Sequence, residues 1–369
     1  MRRLITFRDF DWVLLTFILI ICSLGVLEIY STTYGTKFAG AHVRQIYWIM
    51  AGLAVMLAVS LINYQVLLEN ALWFYVASVV SLVAVALLGK KYLGARRWIQ
   101  LPGGQHFQPS EWVKLVLILM LAKYFSGEGE REASLSDVAK AAVIAGIPML
   151  LVLKQPDLGT ALTYVPVAVM GLFLGGIQFR HAAVILVIVG VLLPTLWIYG
   201  PRLHLVKQYQ MDRLTTFLHP AVDSKGSGYQ LEQSKIAVGS GGIWGKGVRK
   251  GSQTQGSFLP EPHTDFIFAA WAEEHGFVGA VALLLLYFMV LMRLIHNAQT
   301  APDSAGGFVV MGVVAVLLFH VLVNAGMVVG FMPVTGIPLP LMSYGGSSVL
   351  FMFLALGIVM NIRMRRFVN

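Results

Sequence analysis

The residues best suited to chemistry lie in the polar segment Phe258–Gly279, FLPEPHTDFIFAAWAEEHGFVG, where a hydrophilic stretch gives way to an apolar run. Asp265 stands at this boundary, with Glu261 and His263 close by in sequence. An ionisable group beside a membrane is costly to keep there, and desolvation raises the proton affinity of a carboxylate. Asp265 is therefore a candidate general base. The alternative is that Asp265 only caps a helix starting at Phe266.

Two other motifs place charged residues at predicted helix starts. Glu111 and Lys114, in FQPSEWVKL, are three residues apart and share a helix face. They are interpreted either as a buried pair lining a polar cavity or as an interfacial pair with Lys114 extending outward to water. Asp157, in KQPDLGTAL, is interpreted either as a helix cap or as a site residue.

The run Asn324–Ser348, NAGMVVGFMPVTGIPLPLMSYGGSS, is rich in proline and glycine and separates two apolar spans. Irregular backbone at the membrane is tolerated only where it is buried in protein or lines a cavity. The run, which includes Ser343, is therefore a candidate part of the site, and a plain re-entrant connector is the alternative. His320 and Asn324 are one helical turn apart and are predicted to make hydrogen bonds in the bundle interior.

The sequence limits the cofactors that the protein can use. The single cysteine, Cys22, excludes an intrachain disulfide and a cysteine cluster for zinc. The histidines are too dispersed for a metal site, which leaves oxygen ligands for Mg²⁺ or Mn²⁺. The segment GSGGIWGKG lacks the spacing of a nucleotide phosphate loop. We expect no nucleotide or organic cofactor, and no nucleic-acid partner because aromatic–basic motifs are lacking.

The composition is that of a membrane protein. The 369 residues are 57% hydrophobic and 12% charged, with a mean hydropathy of +0.74, whereas soluble domains carry about 25% charged residues. A helix needs about 20 apolar residues to cross a bilayer. The candidate spans are 12–31, 45–62, 70–88, 109–125, 138–153, 158–176, 182–200, 266–296, 306–329 and 345–363. The sequence therefore predicts an all-α, polytopic bundle of about ten transmembrane helices, forming a single membrane domain over residues 1–369.

Residues 201–265, between predicted spans seven and eight, are predicted to form a long extracytoplasmic loop that carries part of the active site. Within this loop, 203–218 mixes apolar and polar positions at helical spacing, which predicts a helix lying on the membrane. An even number of spans places both termini on one side. The short loops of that side carry more basic residues, which favours cytoplasmic termini. The remaining cations favour an anionic ligand on the other face and membrane lipids as partners.

Several motifs, in order along nearly the whole chain, resemble the SEDS family of cell-wall polymerases, and in particular its RodA (rod shape-determining) type. They are FDWVLL, GARRWI, FQPSEWVK, QPDLGTAL, DRLTTFLHP, GYQLEQSKIAVGSGGIWGKG, FLPEPHTDFIFAAWAEEHGFVG and the run ending in SYGGSS. The resemblance implies a ten-helix glycosyltransferase that polymerises lipid II into peptidoglycan strands at the outer face of the bacterial inner membrane. It also implies a class B penicillin-binding protein, a transpeptidase, as partner, alongside other membrane proteins of the elongation complex.

The resemblance also implies roles for individual residues. Asp265 matches the essential aspartate of the HTDFIF motif. Glu111 and Lys114 match the functionally important pair of QPSE-x-x-K, and Asp157 matches the acid of QPDLGT.

Joining two lipid-linked disaccharides requires a base for a sugar hydroxyl and positive charge for the departing pyrophosphate. Asp265 is the expected base. Displacement at the donor anomeric carbon would invert its configuration. The cations available on the predicted outer side are Arg96, Arg97, Lys114, Arg213 and Lys246. The residues expected to bind substrate are Arg97, Glu111, Lys114, Asp157, Arg213, Lys246, Glu261 and Ser343.

Two other classes of function remain open from the sequence. A flippase for lipid-linked cell-wall precursors would have similar helices and a similar basic cavity, but it needs access from both faces. A non-catalytic scaffold of the elongation machinery would use Asp265 only as a cap. The motifs FDWVLL and QPDLGTAL favour a role in elongation over one in division.

Overall fold

A computed structural model describes residues 9–89, 97–100, 106–127, 132–199, 208–218 and 226–366. The described chain is almost entirely helical, with one two-stranded antiparallel hairpin. In order, its helices and strands are α1 (Trp12–Thr33), α2 (Ala41–Leu61), α3 (Tyr64–Glu69), α4 (Ala71–Leu88), β1 (Ile99–Gln100), β2 (His106–Phe107), α5 (Pro109–Gly127), α6 (Leu135–Lys154), α7 (Leu158–Leu162), α8 (Tyr164–Leu174), α9 (Phe179–Tyr199), α10 (Gln208–Leu218), α11 (Ser227–Ser240), α12 (Ser252–Gln255), α13 (Ile267–Gln299), α14 (Ser304–Val329) and α15 (Gly346–Met364).

Within the described ranges, seven helices are long and apolar enough to cross a membrane: α1, α2, α4, α6, α13, α14 and α15. The three other predicted spans are helical too, as α5, as the consecutive helices α7 and α8, and as α9. The expectation of an all-α, multi-pass membrane protein is thus confirmed. The total of ten spans stays a prediction, as do the single-domain assignment and the extracytoplasmic placement of residues 201–265.

Small residues allow the central helices to approach closely. A Cβ added at Gly357 of α15 would lie 2.8 Å from the Met56 carbonyl oxygen of α2, and one at Gly52 of α2 would lie 2.4 Å from the Phe353 ring. Glycine at such crossings brings backbones together and increases van der Waals contact, which drives helix association in lipid. α14 and α15 are accordingly the most buried spans, 67% and 78% enclosed. Cys22 is a buried core residue, as expected.

Between these two central helices runs an irregular stretch of backbone, residues 330–345, which we call the proline–glycine segment. α14 ends at Gly330 because that residue adopts a left-handed conformation, with φ of +84°. The chain remains irregular until α15 begins. The prediction of irregular backbone in this run is confirmed.

The stretch between α9 and α13 holds the helices α10, α11 and α12. The helix predicted over 203–218 is present from Gln208 to Leu218, and residues 203–207 lie outside the described part of the chain. After α11, the glycine-rich loop at 241–251 folds back onto α13.

α13 is broken at Gly276, which has φ of +68° and ψ of −167°. The loop bonds the groups that the break exposes: the N–H groups of Phe277 and Val278 donate to loop carbonyls at 2.8 and 3.1 Å, and the N–H of Gly247 donates to the Glu274 carbonyl at 2.8 Å. A Cβ at position 276 would lie 2.3 Å from the nitrogen of Gly245. The break and the loop therefore fit only with glycine at this position.

We predict that Gly276→Ala destabilises the protein by about 1–3 kcal/mol for the backbone conformation alone, with a further cost from the clash. The measurement is the midpoint of thermal unfolding of detergent-solubilised protein. The matched control is Gly146→Ala in α6, where an added Cβ meets no atom within 4 Å. Equal midpoints for the two variants would contradict the proposed docking of the loop on α13.

Candidate active site

The backbone before α13 is held at three consecutive residues, 263–265. Their carbonyl oxygens accept hydrogen bonds from the Tyr344 N–H at 2.9 Å, from Ser343 Oγ at 2.7 Å and from Asn324 Nδ2 at 2.8 Å, in that order. All three donors belong to the proline–glycine segment or to α14. The position of Asp265 is thus fixed by elements remote from it in sequence, which is the rigidity that a reactive group needs.

The Asp265 carboxylate faces the proline–glycine segment and is partly exposed. Its Oδ2 would be 3.2 Å from a Cβ at Gly336, so a side chain there would crowd it. The side chain does not cap α13: the N-cap position belongs to Phe266, and no side chain makes a capping hydrogen bond there. The capping alternative is therefore wrong, and the carboxylate is free for another role.

Burial and four charged side chains together set the affinity of the Asp265 carboxyl for protons. Its pKa is raised from 3.8 to about 6; burial is the largest cause, and the negative charges of Glu261 and Asp157 act in the same direction. The guanidinium groups of Arg97 and Arg213 oppose this rise. Asp265 is therefore a carboxylate that is mostly ionised at neutral pH but has a raised proton affinity.

The two arginines reach the site from different parts of the chain. Arg213, on α10, donates from Nη1 to the Thr335 carbonyl of the proline–glycine segment at 2.7 Å. Arg97, just before β1, lies with Nη1 3.8 Å from Asp157 Oδ1 and is 30% exposed. The predicted site residues Asp265, Asp157, Arg97 and Arg213 are thus brought together.

Some polar atoms around Asp265 are buried without a hydrogen-bond partner in the part of the chain described. They are Arg97 Nε, Thr335 Oγ1 and Asn324 Oδ1. Buried polar atoms are rarely left unpaired in folded proteins. These unpaired atoms, on residues around a partly exposed carboxylate, are available to a polar ligand.

Asp157 is both a helix cap and a member of this site. It accepts hydrogen bonds from the Thr160 N–H at 3.2 Å and the Thr160 hydroxyl at 3.0 Å, at the start of α7. Gln108 Nε2 donates to its Oδ2 at 2.6 Å. The predicted cap is confirmed, and these bonds keep the Asp157 charge beside Arg97.

Glu111 and Lys114 form a buried ion pair. Lys114 Nζ donates to both carboxylate oxygens of Glu111 at 3.0 Å and lies 3.3 Å from His320 Nε2. It also lies over the Phe351 ring, and the residue is fully buried. The alternative in which Lys114 extends outward is therefore wrong. His320 Nδ1 is 3.1 Å from the Pro338 carbonyl. His320 therefore connects the Glu111–Lys114 ion pair to the proline–glycine segment.

The other predicted binding residues occupy different surroundings. Lys246 lies in a separate cluster, where Nζ contacts Glu273 Oε1 at 2.7 Å and the Ser240 and Ser252 hydroxyls. Ser343 is buried, and its hydroxyl accepts a hydrogen bond from the Leu339 N–H and donates one to the Thr264 carbonyl. Glu261 is 58% exposed and lies 3.9 Å from His263 Nε2. Substrate binding by these residues stays a prediction.

Sequence reasoning missed several residues that complete the site. Gln108 bonds Asp157, Gly336 makes room for Asp265, and the backbone of Tyr344 holds the chain before α13. Each lies in one of the motifs described above, but a neutral amide, a glycine and a backbone N–H carry no charge that would indicate a role in the site. A proline–glycine run next to a candidate base could have indicated Gly336, because close backbone approach requires glycine.

Across the described residues there is no group of three or more His, Cys, Asp or Glu side chains that could hold a metal ion. Both carboxylate oxygens of Asp157 accept hydrogen bonds from protein donors. A divalent cation therefore stays a prediction. The chemistry that the side chains can perform themselves is acceptance of a proton at Asp265, and stabilisation of negative charge by Arg97 and Arg213.

Comparison with known proteins gives the family. The FtsW/RodA/SpoVE family, described as "Cell cycle protein", matches residues 9–367. The peptidoglycan glycosyltransferase MrdB of Escherichia coli K12 is 41% identical over 89% of this chain and 86% of its own length. The peptidoglycan glycosyltransferase RodA of Treponema pallidum is 34% identical over 97% of this chain and 98% of its own.

Two solved structures show the same fold. One, described as "Structural coordination of polymerization and crosslinking by a peptidoglycan synthase complex", aligns with a TM-score of 0.83 and 33% identity over 98% of this chain and 99% of that one. The other, the rod shape-determining protein RodA of Thermus thermophilus, aligns with a TM-score of 0.71 and 30% identity over 97% of this chain and 98% of that one. The chain is a multi-pass membrane protein, and it belongs to the FtsW/RodA/SpoVE family.

Proposed function

We propose that the protein is a peptidoglycan glycosyltransferase that polymerises lipid II, with Asp265 as general base. The observation that carries the proposal is a partly exposed carboxylate whose backbone is held by three hydrogen bonds and whose charge interacts with two guanidinium groups. The names of the relatives support the reaction class. The fit between site and chemistry supports the residue roles.

In the proposed step, the acceptor sugar hydroxyl gives its proton to a carboxylate oxygen of Asp265 while its oxygen bonds to the donor anomeric carbon. The bond from that carbon to the pyrophosphate oxygen breaks, and the electron pair leaves with undecaprenyl pyrophosphate. Arg97 and Arg213 stabilise the charge that develops on the leaving group. A single displacement inverts the anomeric carbon and needs no covalent enzyme intermediate.

We propose the bacterial inner membrane as the location, with both termini in the cytoplasm and the site at the outer face. A class B penicillin-binding protein is the proposed partner. Its support is the fold shared with a chain from a complex that coordinates polymerization and crosslinking. A flippase is the alternative class of function, and a polymerisation assay on purified protein separates the two because a flippase forms no glycosidic bond.

We predict that Asp265→Asn reduces glycan synthesis by at least about 100-fold, because the amide keeps the size of the side chain but cannot accept the proton. The assay combines purified protein, its penicillin-binding partner, lipid II and a divalent cation, and reads glycan length on a gel. Glu232→Gln, which removes an exposed carboxylate on α11, is the matched control and should retain activity. Polymer at normal yield from Asp265→Asn would remove the base assignment.

We expect the rate of polymerisation to rise with pH through about 6, the pKa of Asp265, because only the ionised carboxylate is a base. Glu261→Gln removes a charge that raises this pKa, so the midpoint should move to lower pH. Arg213→Gln removes a charge that lowers it, so the midpoint should move to higher pH. The measurement is initial rate against pH at saturating lipid II, and the same midpoint in all three proteins contradicts the proposal.

We expect Lys114→Ala to lower activity at least about tenfold and to lower the unfolding midpoint, because breaking a buried ion pair costs about 3–5 kcal/mol. The loss leaves Glu111 buried without its partner and removes the contact that supports His320. Lys123→Ala, at an exposed lysine of the same helix, is the matched control. Polymerisation and thermal unfolding are measured on both variants, and wild-type behaviour of Lys114→Ala would show that the pair does not support the site.

A further inference from the structure

A cavity of about 280 Å³ is built from two segments, residues 32–38 and 254–263, and the second of these ends two residues before Asp265. Its lining residues are Thr32, Thr36, Lys37, Phe38, Thr254, Ser257, Leu259, Glu261, Pro262 and His263. The first segment is the end of α1 with the turn that follows, and the second leads into α13. Neither Arg97 nor Arg213 lines this cavity.

The walls combine opposite charges with an aromatic surface. Lys37 and Glu261 are both exposed, so their charges are available to a ligand. The Phe38 ring packs on His263 with centroids 4.6 Å apart, and His263 continues to Tyr344 at 5.8 Å. Burial lowers the pKa of His263, which favours the neutral ring at pH 7. Hydroxyl groups, a ring face and charges of both signs suit a sugar that carries a peptide with carboxylate and amino groups.

The backbone that forms one wall of the cavity leads directly to the proposed base. Glu261 and His263 line the cavity, and Asp265 follows two residues later. Hydrogen bonds from Tyr344 and Ser343 fix the intervening backbone. By contrast, the cations near Asp265 are held by other elements: Arg213 by the Thr335 carbonyl and Arg97 beside Asp157. Asp265 therefore follows directly in the chain from a cavity wall with charges of both signs, while two guanidinium groups act on its carboxyl.

We propose that the cavity at residues 32–38 and 254–263 binds part of the saccharide–peptide head of the acceptor, and that Arg97 and Arg213 hold the pyrophosphate of the donor. This inference rests on the proposed function and adds the direction of transfer. The acceptor has to present a hydroxyl to Asp265, whereas the donor has to present a pyrophosphate to positive charge. Lys37 binds a carboxylate of the acceptor peptide and is a specificity-determining residue, not a group that reacts.

The test separates the two substrates chemically. The donor probe is lipid II whose acceptor hydroxyl is capped by an extra sugar, so it can only donate. The acceptor probe is the lipid-linked disaccharide–peptide joined through an ether without pyrophosphate, so it can only accept. Together they give one coupled product, and its initial rate yields a KM for each probe with the wild-type protein in complex with its penicillin-binding partner.

We expect Lys37→Ala to raise the KM of the acceptor probe about tenfold, the effect of losing a hydrogen bond to a charged group. The KM of the donor probe and the rate at saturation should stay within about twofold, since Lys37 is placed away from the leaving group. Lys37→Arg should restore most of the acceptor KM. Lys250→Ala, at an exposed lysine that does not line the cavity, is the matched control and should change neither value.

Each other outcome overturns the inference. A rise confined to the donor KM reverses the assignment of the two sites, and unchanged constants in Lys37→Ala show that the cavity binds neither head. Failure of the proposed function itself would look different. The wild-type protein would then form no coupled product from the two probes.

Discussion

The site depends on the way in which the irregular backbone of the proline–glycine segment is hydrogen-bonded inside a membrane protein. Exposed peptide groups cannot be left unpaired in lipid, so such a segment must be enclosed by side chains that bond it. Asn324 bonds the Ile337 carbonyl at 2.7 Å, and Tyr287 bonds the Pro340 carbonyl at 2.5 Å. Asn324 also bonds the Asp265 carbonyl. The Asn324 side chain thus pairs a carbonyl group of the segment and also holds the backbone of the proposed base, Asp265.

The same enclosure explains why the charges differ in role. Lys114 lies under the segment, fully buried and paired, where its charge is neutralised by Glu111. Arg97 and Arg213 lie at its exposed edge, and Arg97 retains a donor without a partner in the described chain. A paired buried cation stabilises geometry, whereas a partly exposed one can bind an anion. Asp265 lies beside the two arginines, where burial raises its pKa to about 6 and their guanidinium groups oppose the rise.

Much of the fold could be predicted because membrane spans and helix caps are encoded locally. A run of apolar residues gives a span whatever follows it, and Asp157 beside Pro156 marks a helix start. The hydrogen bonds at residues 263–265 could not be predicted, because their three donors lie 59, 79 and 81 residues away in sequence. The partner of Lys246 could not be predicted from the sequence either. Its motif indicated an available cation, but the fold of the glycine-rich loop onto α13 pairs it with Glu273.

The most direct test of the central claim is a structure of the Asp265→Asn variant with its penicillin-binding partner and both lipid-linked probes bound. Hydrogen bonds from Tyr344, Ser343 and Asn324 to residues 263–265 should persist. The acceptor hydroxyl should lie about 2.6–3.2 Å from the side chain at position 265, the reach of a general base. A bound acceptor whose hydroxyl lies beyond one intervening water from that side chain, with the backbone still held, would contradict the account.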